Sequence, residues 1–533
     1  MNRQIGGWKV VVALATWLCM SCGQTATTTT DDAAATDVAA GTDAAADIAA
    51  PDTAFPKGFI WGAAIAGFQV DMGCPTLPPQ TADGKGQCDD AKSDWYQWVT
   101  DPVLIADGIT YLSGDPPSAG PGFWETWPAY LDAAHNTAHL SGLRMSIEWS
   151  RIFPDGAAEK ATTVEELKAY ANPEAVAKYH AMFKGAHDRG MTLLVTLNHY
   201  TLPLWIHDGK DCHVNGLDPP AGCKNRGWVD KDRMLKAIAL YAGYCGAEFG
   251  GEVDLWGTLN EPFAVVLAGY ILPSADRTNP PGLVLQLDAA IAVMFNMMEG
   301  HARMYDAVHA NDKVDADGDG KAAMVGIVAN LAYIVPADAN VPGDVTAVAH
   351  ADWVYNQAFL EATINGEVDR DLDGVPEEHR PDMKGRMDFI GINYYNQLPV
   401  NNSPIPGAEK WKFLDFQPVT SNFATNPEGI YHEVKFASQY KLPIFITENG
   451  TGEAKTTGID NYVKPHLTWL HKAIAEGVDV RGYFYWTLMD NYEWNHGVVP
   501  YKMGLFAVDP AKKTPIVTPM ATGYGAMATA NGF

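Results

Sequence analysis

The sequence predicts an α/β fold, a single-domain (β/α)8 TIM barrel. Three observations predict it. Eight apolar, strand-like runs alternate with amphipathic helical stretches. Most of those runs end on polar or aromatic residues. The chain beyond residue 54 has the length of one barrel with insertions.

The first run, Phe59–Ala66, is followed three residues on by Gln69. Gly142–Trp149 is apolar through its middle and ends on Glu148-Trp149. Thr192–Tyr200 ends on Asn198-His199-Tyr200, after the helical spacing of Asn172–Arg189. Lys231–Phe249 is a second amphipathic stretch, and Leu255–Pro262 follows it, closing on Asn260-Glu261-Pro262. Leu285–Ala310 precedes Met324–Leu331. Asp388–Tyr395 ends on Asn393-Tyr394-Tyr395, and Pro443–Gly450 on Glu448-Asn449-Gly450. Asn461–Glu476 is the last helical stretch before Val480–Asp490, which carries Trp486. The loop around Cys212 and the segment Asn396–Asn426 read as insertions. In a parallel barrel the strand ends share one mouth, so charged and amide residues at most of them point to a polar pocket.

The first 54 residues do not read as part of the barrel. Arg3 and Lys9 precede a short apolar run, Val10–Leu18, too short to span a bilayer. This predicts an export signal over residues 1–22. Its end, Met20-Ser21-Cys22-Gly23, resembles a bacterial lipoprotein signal, which implies lipidation of Cys22 and a place in the cell envelope, at the outer membrane or in the periplasm. Residues 23–54 are mostly Ala, Thr and Asp, which bury too little apolar surface to offset ordering, so they read as a tether. A folded domain over 55–533 follows, and any membrane contact is through the anchor alone. Export permits disulfides, and two pairs flank short loops: Cys74 with Cys88, and Cys212 with Cys223. Cys245, in an apolar helical stretch, reads as a buried thiol.

The formal charge is −27, from 64 acidic and 37 basic residues. Such a surface repels phosphate backbones, which argues against a nucleic-acid partner. Neutral ligands are not penalised. The 16 Trp and 22 Tyr suit stacking on sugar rings, and suit a large core equally well.

Two strings, Thr258-Leu259-Asn260-Glu261-Pro262 and Ile446-Thr447-Glu448-Asn449-Gly450, each set a glutamate at the end of an apolar run, among residues that turn a chain sharply. Two carboxyl groups facing one substrate are the minimum equipment for cleaving a glycosidic bond. One protonates the leaving oxygen, and the other attacks or stabilises the sugar carbon. A glutamate after a strand is also an ordinary loop residue, so spacing alone leaves both readings open.

The wider sequence decides between them. From about Phe55 onward the chain resembles the β-glycosidases of glycoside hydrolase family 1. The resemblance rests on Phe55-Pro56-Lys57-Gly58-Phe59-Ile60-Trp61-Gly62, on the two glutamate motifs, and on Trp486 to Trp494. Ser93 to Trp98, Ser113 to Pro116, Gly122-Phe123-Trp124 and Ile147 to Pro154 are similar to the archaeal-type β-glucosidase/β-galactosidase branch. The resemblance implies a retaining exo-β-glycosidase acting on β-D-glucosides, β-D-galactosides and β-D-fucosides through a covalent glycosyl-enzyme. Glu448 is then the nucleophile and Glu261 the general acid/base, with carboxyls about 5–5.5 Å apart. Arg144 would hold Glu448 ionised, Tyr395 would lie beside it, and Asn260 would reach the sugar 2-hydroxyl. Gln69, His199, Asn393 and Glu493 would grip the remaining hydroxyls, with Trp486 beneath the ring and Trp494 as a wall. Glu493 would repel a 6-phosphate, which favours unphosphorylated glycosides. Three positions depart from the common pattern. Tyr200 replaces a Trp or Phe, Phe423 replaces a tryptophan lining the leaving-group site, and Asp71 replaces a glutamate. The implied partners are β-linked glycosides or oligosaccharides, with no cofactor for catalysis. Monomer and homo-oligomer both stay open, as does transfer of the sugar to an alcohol instead of water.

Two acidic loops, Asp315-x-Asp317-x-Asp319-Gly320 and Asp369-x-Asp371-x-Asp373-Gly374, start like calcium-binding loops. Neither finishes like one, since Gly326 and Arg380 occupy the twelfth positions. They read either as solvated turns or as structural calcium sites. Each precedes a strand, which predicts a place at the strand-entry end of the barrel.

Overall fold

The computed structural model describes residues 53–533, apart from 79–87, 219–221, 254, 405–414, 420–424, 453–454 and 500–501. The expected signal, Cys22, the tether as far as residue 52, and Phe423 lie outside the described residues.

Eight parallel strands close a barrel: β1 (Ile60–Ala64), β2 (Gly142–Ser146), β3 (Thr192–Asn198), β4 (Leu255–Asn260), β5 (Met324–Asn330), β6 (Phe389–Asn393), β7 (Ile444–Asn449) and β8 (Val480–Trp486). Each pairs with its neighbours in the chain, and β8 closes on β1 from Ile60↔Gly482 to Ala64↔Trp486. All eight expected strands are present, but several stop short of the run that announced them. β4 ends at Asn260, where Glu261 turns into a left-handed conformation, and β8 at Trp486, beyond which Thr487 and Leu488 bond instead to Ala64 and to the Leu505-Phe506 segment.

The outer layer includes α1 (Phe123–Asn136), α2 (Pro173–His187), α3 (Lys231–Phe249), α4 (Leu287–Asn311), α5 (Pro427–Ala437), α6 (Lys464–Ala475) and α7 (Pro519–Ala530). Asn172 caps α2 by accepting from the Glu174 amide, with Pro173 in the first turn. Inside the barrel, Leu194, Leu255, Met324, Phe389, Phe445 and Phe484 pack into one apolar plug. Phe389 and Phe445 meet edge to face at 5.3 Å. Tyr395 and Trp486 belong to the same cluster and carry it up to the polar layer.

Both insertions are structured in part. Gln397–Asn401 pairs with Tyr333–Pro336 and with Gln417–Pro418 in a small sheet beyond the ends of β5 and β6. The short helix Gly209–Asn215 is stapled by Cys212–Cys223, and a second disulfide joins Cys74 to Cys88. Cys245 is buried and free. No helix among the described residues is long and apolar enough to cross a membrane.

The two ends of the described chain meet. The Phe55 amide donates to the Asn531 carbonyl at 2.8 Å, and Asn531 Nδ2 returns a bond to the Phe55 carbonyl at 2.6 Å. Phe55 is buried against Phe59 and Trp61.

Barrel closure needs glycine where strands approach most closely. A Cβ on Gly326 would lie 2.3 Å from the Phe389 carbonyl oxygen, which is backbone and cannot step aside. Gly326→Ala is therefore expected to cost about 1–3 kcal/mol, read as a lower urea midpoint with an unchanged slope.

Candidate active site

The polar layer begins with Arg144. It sits in the middle of β2, fully buried, with its guanidinium among four acceptors. Nε donates to Thr196 Oγ1 at 3.1 Å, and Nη2 to Asn260 Oδ1 at 2.6 Å. Nη1 donates to the Thr447 carbonyl at 3.2 Å and to Glu448 Oε1 at 2.6 Å. A buried charge this well satisfied holds its neighbours in one geometry.

Glu448 receives a second donor, the Tyr395 hydroxyl, on Oε2 at 2.8 Å. Tyr394 turns away and donates to the Asn426 carbonyl at 2.6 Å. The ladder shifts register between Ile446 and Glu448 on the β6 side of β7. A similar shift lies between Gly257 and Asn260, on the β5 side of β4. Such irregularities re-aim a side chain at a strand end, and each here lies just before or at a catalytic-motif glutamate.

Glu261 follows β4 with φ +43°, a left-handed conformation that non-glycine residues adopt at some cost, held here by the hydrogen bond its amide donates to the Val328 carbonyl at 2.8 Å. Asn393 Nδ2 donates to Glu261 Oε1 at 2.9 Å and to Asn260 Oδ1 at 3.2 Å. The Tyr200 hydroxyl donates to Glu261 Oε2. Arg144, Asn260 and Asn393 thus form a continuous polar chain between the two carboxyls.

Burial, with the like charge of Glu261 added, pushes the Glu448 carboxyl up to about 7 against the pull of Arg144 and the Tyr395 hydroxyl.

Around the pair lies a ring of aromatic and polar groups. His199 lies nearly parallel to Trp486 and to Trp494, with centroids at 6.0 and 5.8 Å. Burial, and then the nearby charges of Arg144 and Arg277, hold the His199 imidazole neutral, well below its ordinary range. Gln69 Nε2 donates to Glu493 Oε2 at 3.1 Å, and Asn491 Nδ2 to the same oxygen at 2.8 Å. Three buried polar atoms in this ring have no partner among the described residues: Gln69 Oε1, His199 Nδ1 and Trp486 Nε1. Unmet polar atoms beside flat aromatic faces match a ligand that is polar at its rim and apolar across its face.

Several of these contacts lay beyond sequence reasoning. Thr196 and Thr447 gave no signal, since a threonine in a strand is ordinary. Arg277 comes from the loop after β4, and its Nη2 lies 3.6 Å from Glu493 Oε1, with both side chains buried. It also lies over the rings of Tyr200 and Trp494. This cation offsets the charge of Glu493, so repulsion of a 6-phosphate is weaker than a lone glutamate implies. Asp71 pairs with Arg151 at 3.4 Å beside Asp90 and Glu148, and burial pushes it up to about 8.

The two acidic loops also take shape. Carboxylate oxygens of Asp315, Asp317 and Asp319 lie within 4.8 Å of one another, as do those of Asp369, Asp371, Asp373 and Glu377. The first loop lies beside the start of β3, where Ala316 and Asp317 line a hollow with Thr192 and Leu193. The second is not at the strand-entry end. Its hairpin folds back along the preceding helical segment, so that Asp369 accepts from Trp353 Nε1 and the Leu372 carbonyl meets His350 Nε2, both at 2.7 Å. Position before a strand did not anticipate that return.

The sequence model of the family described as "Glycosyl hydrolase family 1" matches residues 51–532. A β-galactosidase of Pyrococcus woesei is 32% identical over 502 residues, covering 87% of this chain and 94% of its own. A β-galactosidase of Saccharolobus solfataricus is 33% identical over 504 residues, covering 89% and 95%. Among solved structures, the β-glycosidase of Thermosphaera aggregans superposes with a TM-score of 0.75 at 28% identity, covering 90% of this chain and 98% of its own.

The coupling between the carboxyls has a measurable sign. Glu261→Gln removes the like charge, so Glu448 should ionise at lower pH. The pH midpoint for trapping Glu448 with a 2-fluoro aryl glycoside is expected to fall, and an unchanged midpoint would show that the two groups do not interact.

Proposed function

The chain belongs to glycosyl hydrolase family 1, and from that premise we propose that it is a retaining exo-β-glycosidase acting on unphosphorylated β-D-glucosides, with β-D-galactosides and β-D-fucosides as further substrates. The observation that carries the reading is the paired carboxyls. Glu448 is fixed by Arg144 and Tyr395, and Glu261 by Asn393 and Tyr200.

In the first step the Glu448 carboxylate bonds to the anomeric carbon, while Glu261 gives its proton to the leaving oxygen. Formation of the ester removes the charge of Glu448, and Glu261 then ionises readily and takes a proton from water. Water's oxygen replaces Glu448 and the sugar leaves with retained configuration. Arg144 and Tyr395 stabilise the carboxylate at the start and end of the cycle. Gln69, His199, Asn393 and Glu493 supply hydrogen bonds to the sugar, Trp486 its stacking face and Trp494 a side wall. Asn260 reaches the 2-hydroxyl from the same polar chain that orients both carboxyls. This chemistry needs no metal or cofactor. A cation at either acidic loop would have a structural role.

The support for an anchored, exported enzyme is the signal-like run ending at Cys22 together with two disulfides, which persist in oxidising compartments. We place the barrel on a tether over 23–54, in the cell envelope.

Turnover of aryl β-glucoside, β-galactoside and β-fucoside is expected from the 55–533 domain. Glu448→Gln should lower it by at least about 10³-fold, and the 6-phosphorylated glucoside should turn over more slowly than the plain one. No turnover from folded protein overturns the reading. In cells, Cys22→Ala should move the protein from the membrane fraction to the soluble fraction, and retention in the membrane would remove the anchor.

A further inference from the structure

Tyr200 takes the place of a tryptophan or phenylalanine in the His-aromatic step after β3, and only tyrosine puts a hydroxyl there. That hydroxyl meets Glu261.

The polar chain decides which oxygen of Glu261 can carry a proton. Arg144 only donates, so Asn260 Oδ1 is its acceptor. Asn393 Nδ2 donates to that same oxygen and to Glu261 Oε1. An amide NH2 accepts nothing, so Oε1 stays an acceptor in both protonation states. The mobile proton therefore belongs on Oε2, the oxygen that faces Tyr200. A phenol can donate and accept, so of the two side chains bonded to Glu261 only Tyr200 suits both states.

We propose that Tyr200 is a positioning residue for proton transfer, whose hydroxyl holds Glu261 Oε2 and stabilises the ionised form that acts as base when the glycosyl-enzyme breaks down. This rests on Glu261 being the acid/base. In that step a water oxygen bonds to the anomeric carbon, and the bond to Glu448 breaks with its electron pair returning to the carboxylate. The water proton passes to Oε2. If azide replaces water, nitrogen bonds to the carbon, Glu448 departs in the same way, and no proton has to be removed.

The test is Tyr200→Phe on a dinitrophenyl β-glucoside, whose leaving group needs no acid, with and without azide, beside Glu261→Ala. With breakdown limiting, kcat should fall about tenfold, while kcat/KM, which reports formation of the glycosyl-enzyme, stays near its original value. Azide should restore kcat and yield the β-glycosyl azide. The acid limb of kcat should move to higher pH, because the ionised base has lost a donor. Tyr200→Trp, which keeps an aromatic ring without the hydroxyl, should behave alike and guards against a folding defect in the first variant. An unchanged kcat, or an equal loss in kcat and kcat/KM that azide does not repair, overturns the proposal and leaves Tyr200 as a wall. If azide fails to rescue Glu261→Ala, the acid/base assignment falls, and the role of Tyr200 falls with it.

Discussion

A single buried cation organises this site. Arg144 has no access to water, so leaving it unpaired would cost several kcal/mol. Its acceptors come from β3, β4 and β7. The requirement to satisfy one guanidinium therefore fixes three strands relative to a fourth, and fixes Glu448 at the same time. It also fixes the amide of Asn260, which orients Asn393, which orients Glu261. The apolar plug below supports Tyr395 and Trp486 at the level where this polar chain begins. The arrangement is rigid because each polar atom in it has little choice of partner.

The sugar-facing wall is built differently. Glu493 and Trp494 lie on a loop beyond β8, and the loop after β4 clasps it. Asn495 Nδ2 donates to the Ala275 carbonyl at 3.2 Å, the Thr278 amide to Asn495 Oδ1 at 3.3 Å, and His496 Nε2 meets the Asp276 carbonyl at 2.9 Å. Arg277 adds its charge at the centre of that clasp. The strand that leads to Glu261 thus also positions, through its loop, the residues that would hold the far side of the sugar.

Much of this was legible in the sequence. Long apolar runs marked the strands, and Asn260-Glu261-Pro262 and Glu448-Asn449-Gly450 marked where two of them open into the pocket. Tyr395 and Tyr394 could be told apart only by which hydroxyl faces Glu448, since both lie just past the end of β6 and their hydroxyls go to different partners. Arg277 was invisible because its partner is remote in the chain and arginine in a loop is commonplace. Tyr200 was noticed as a substitution, but a sequence does not show where a hydroxyl points. The second acidic loop was misplaced because a hairpin can return along the helix it has just left.

The pairing of Phe55 with Asn531 sets a direction for the whole molecule. Phe55 precedes β1, and α7 has returned to the same end by Asn531, so the described chain enters at the base of the barrel. The pocket opens at the other end. Anything that holds this chain from upstream holds it by its closed end, away from the mouth. A leash fixed there would leave long or surface-bound glycans free to approach from the side away from the attachment, and the enzyme could swivel on it without covering its own entrance.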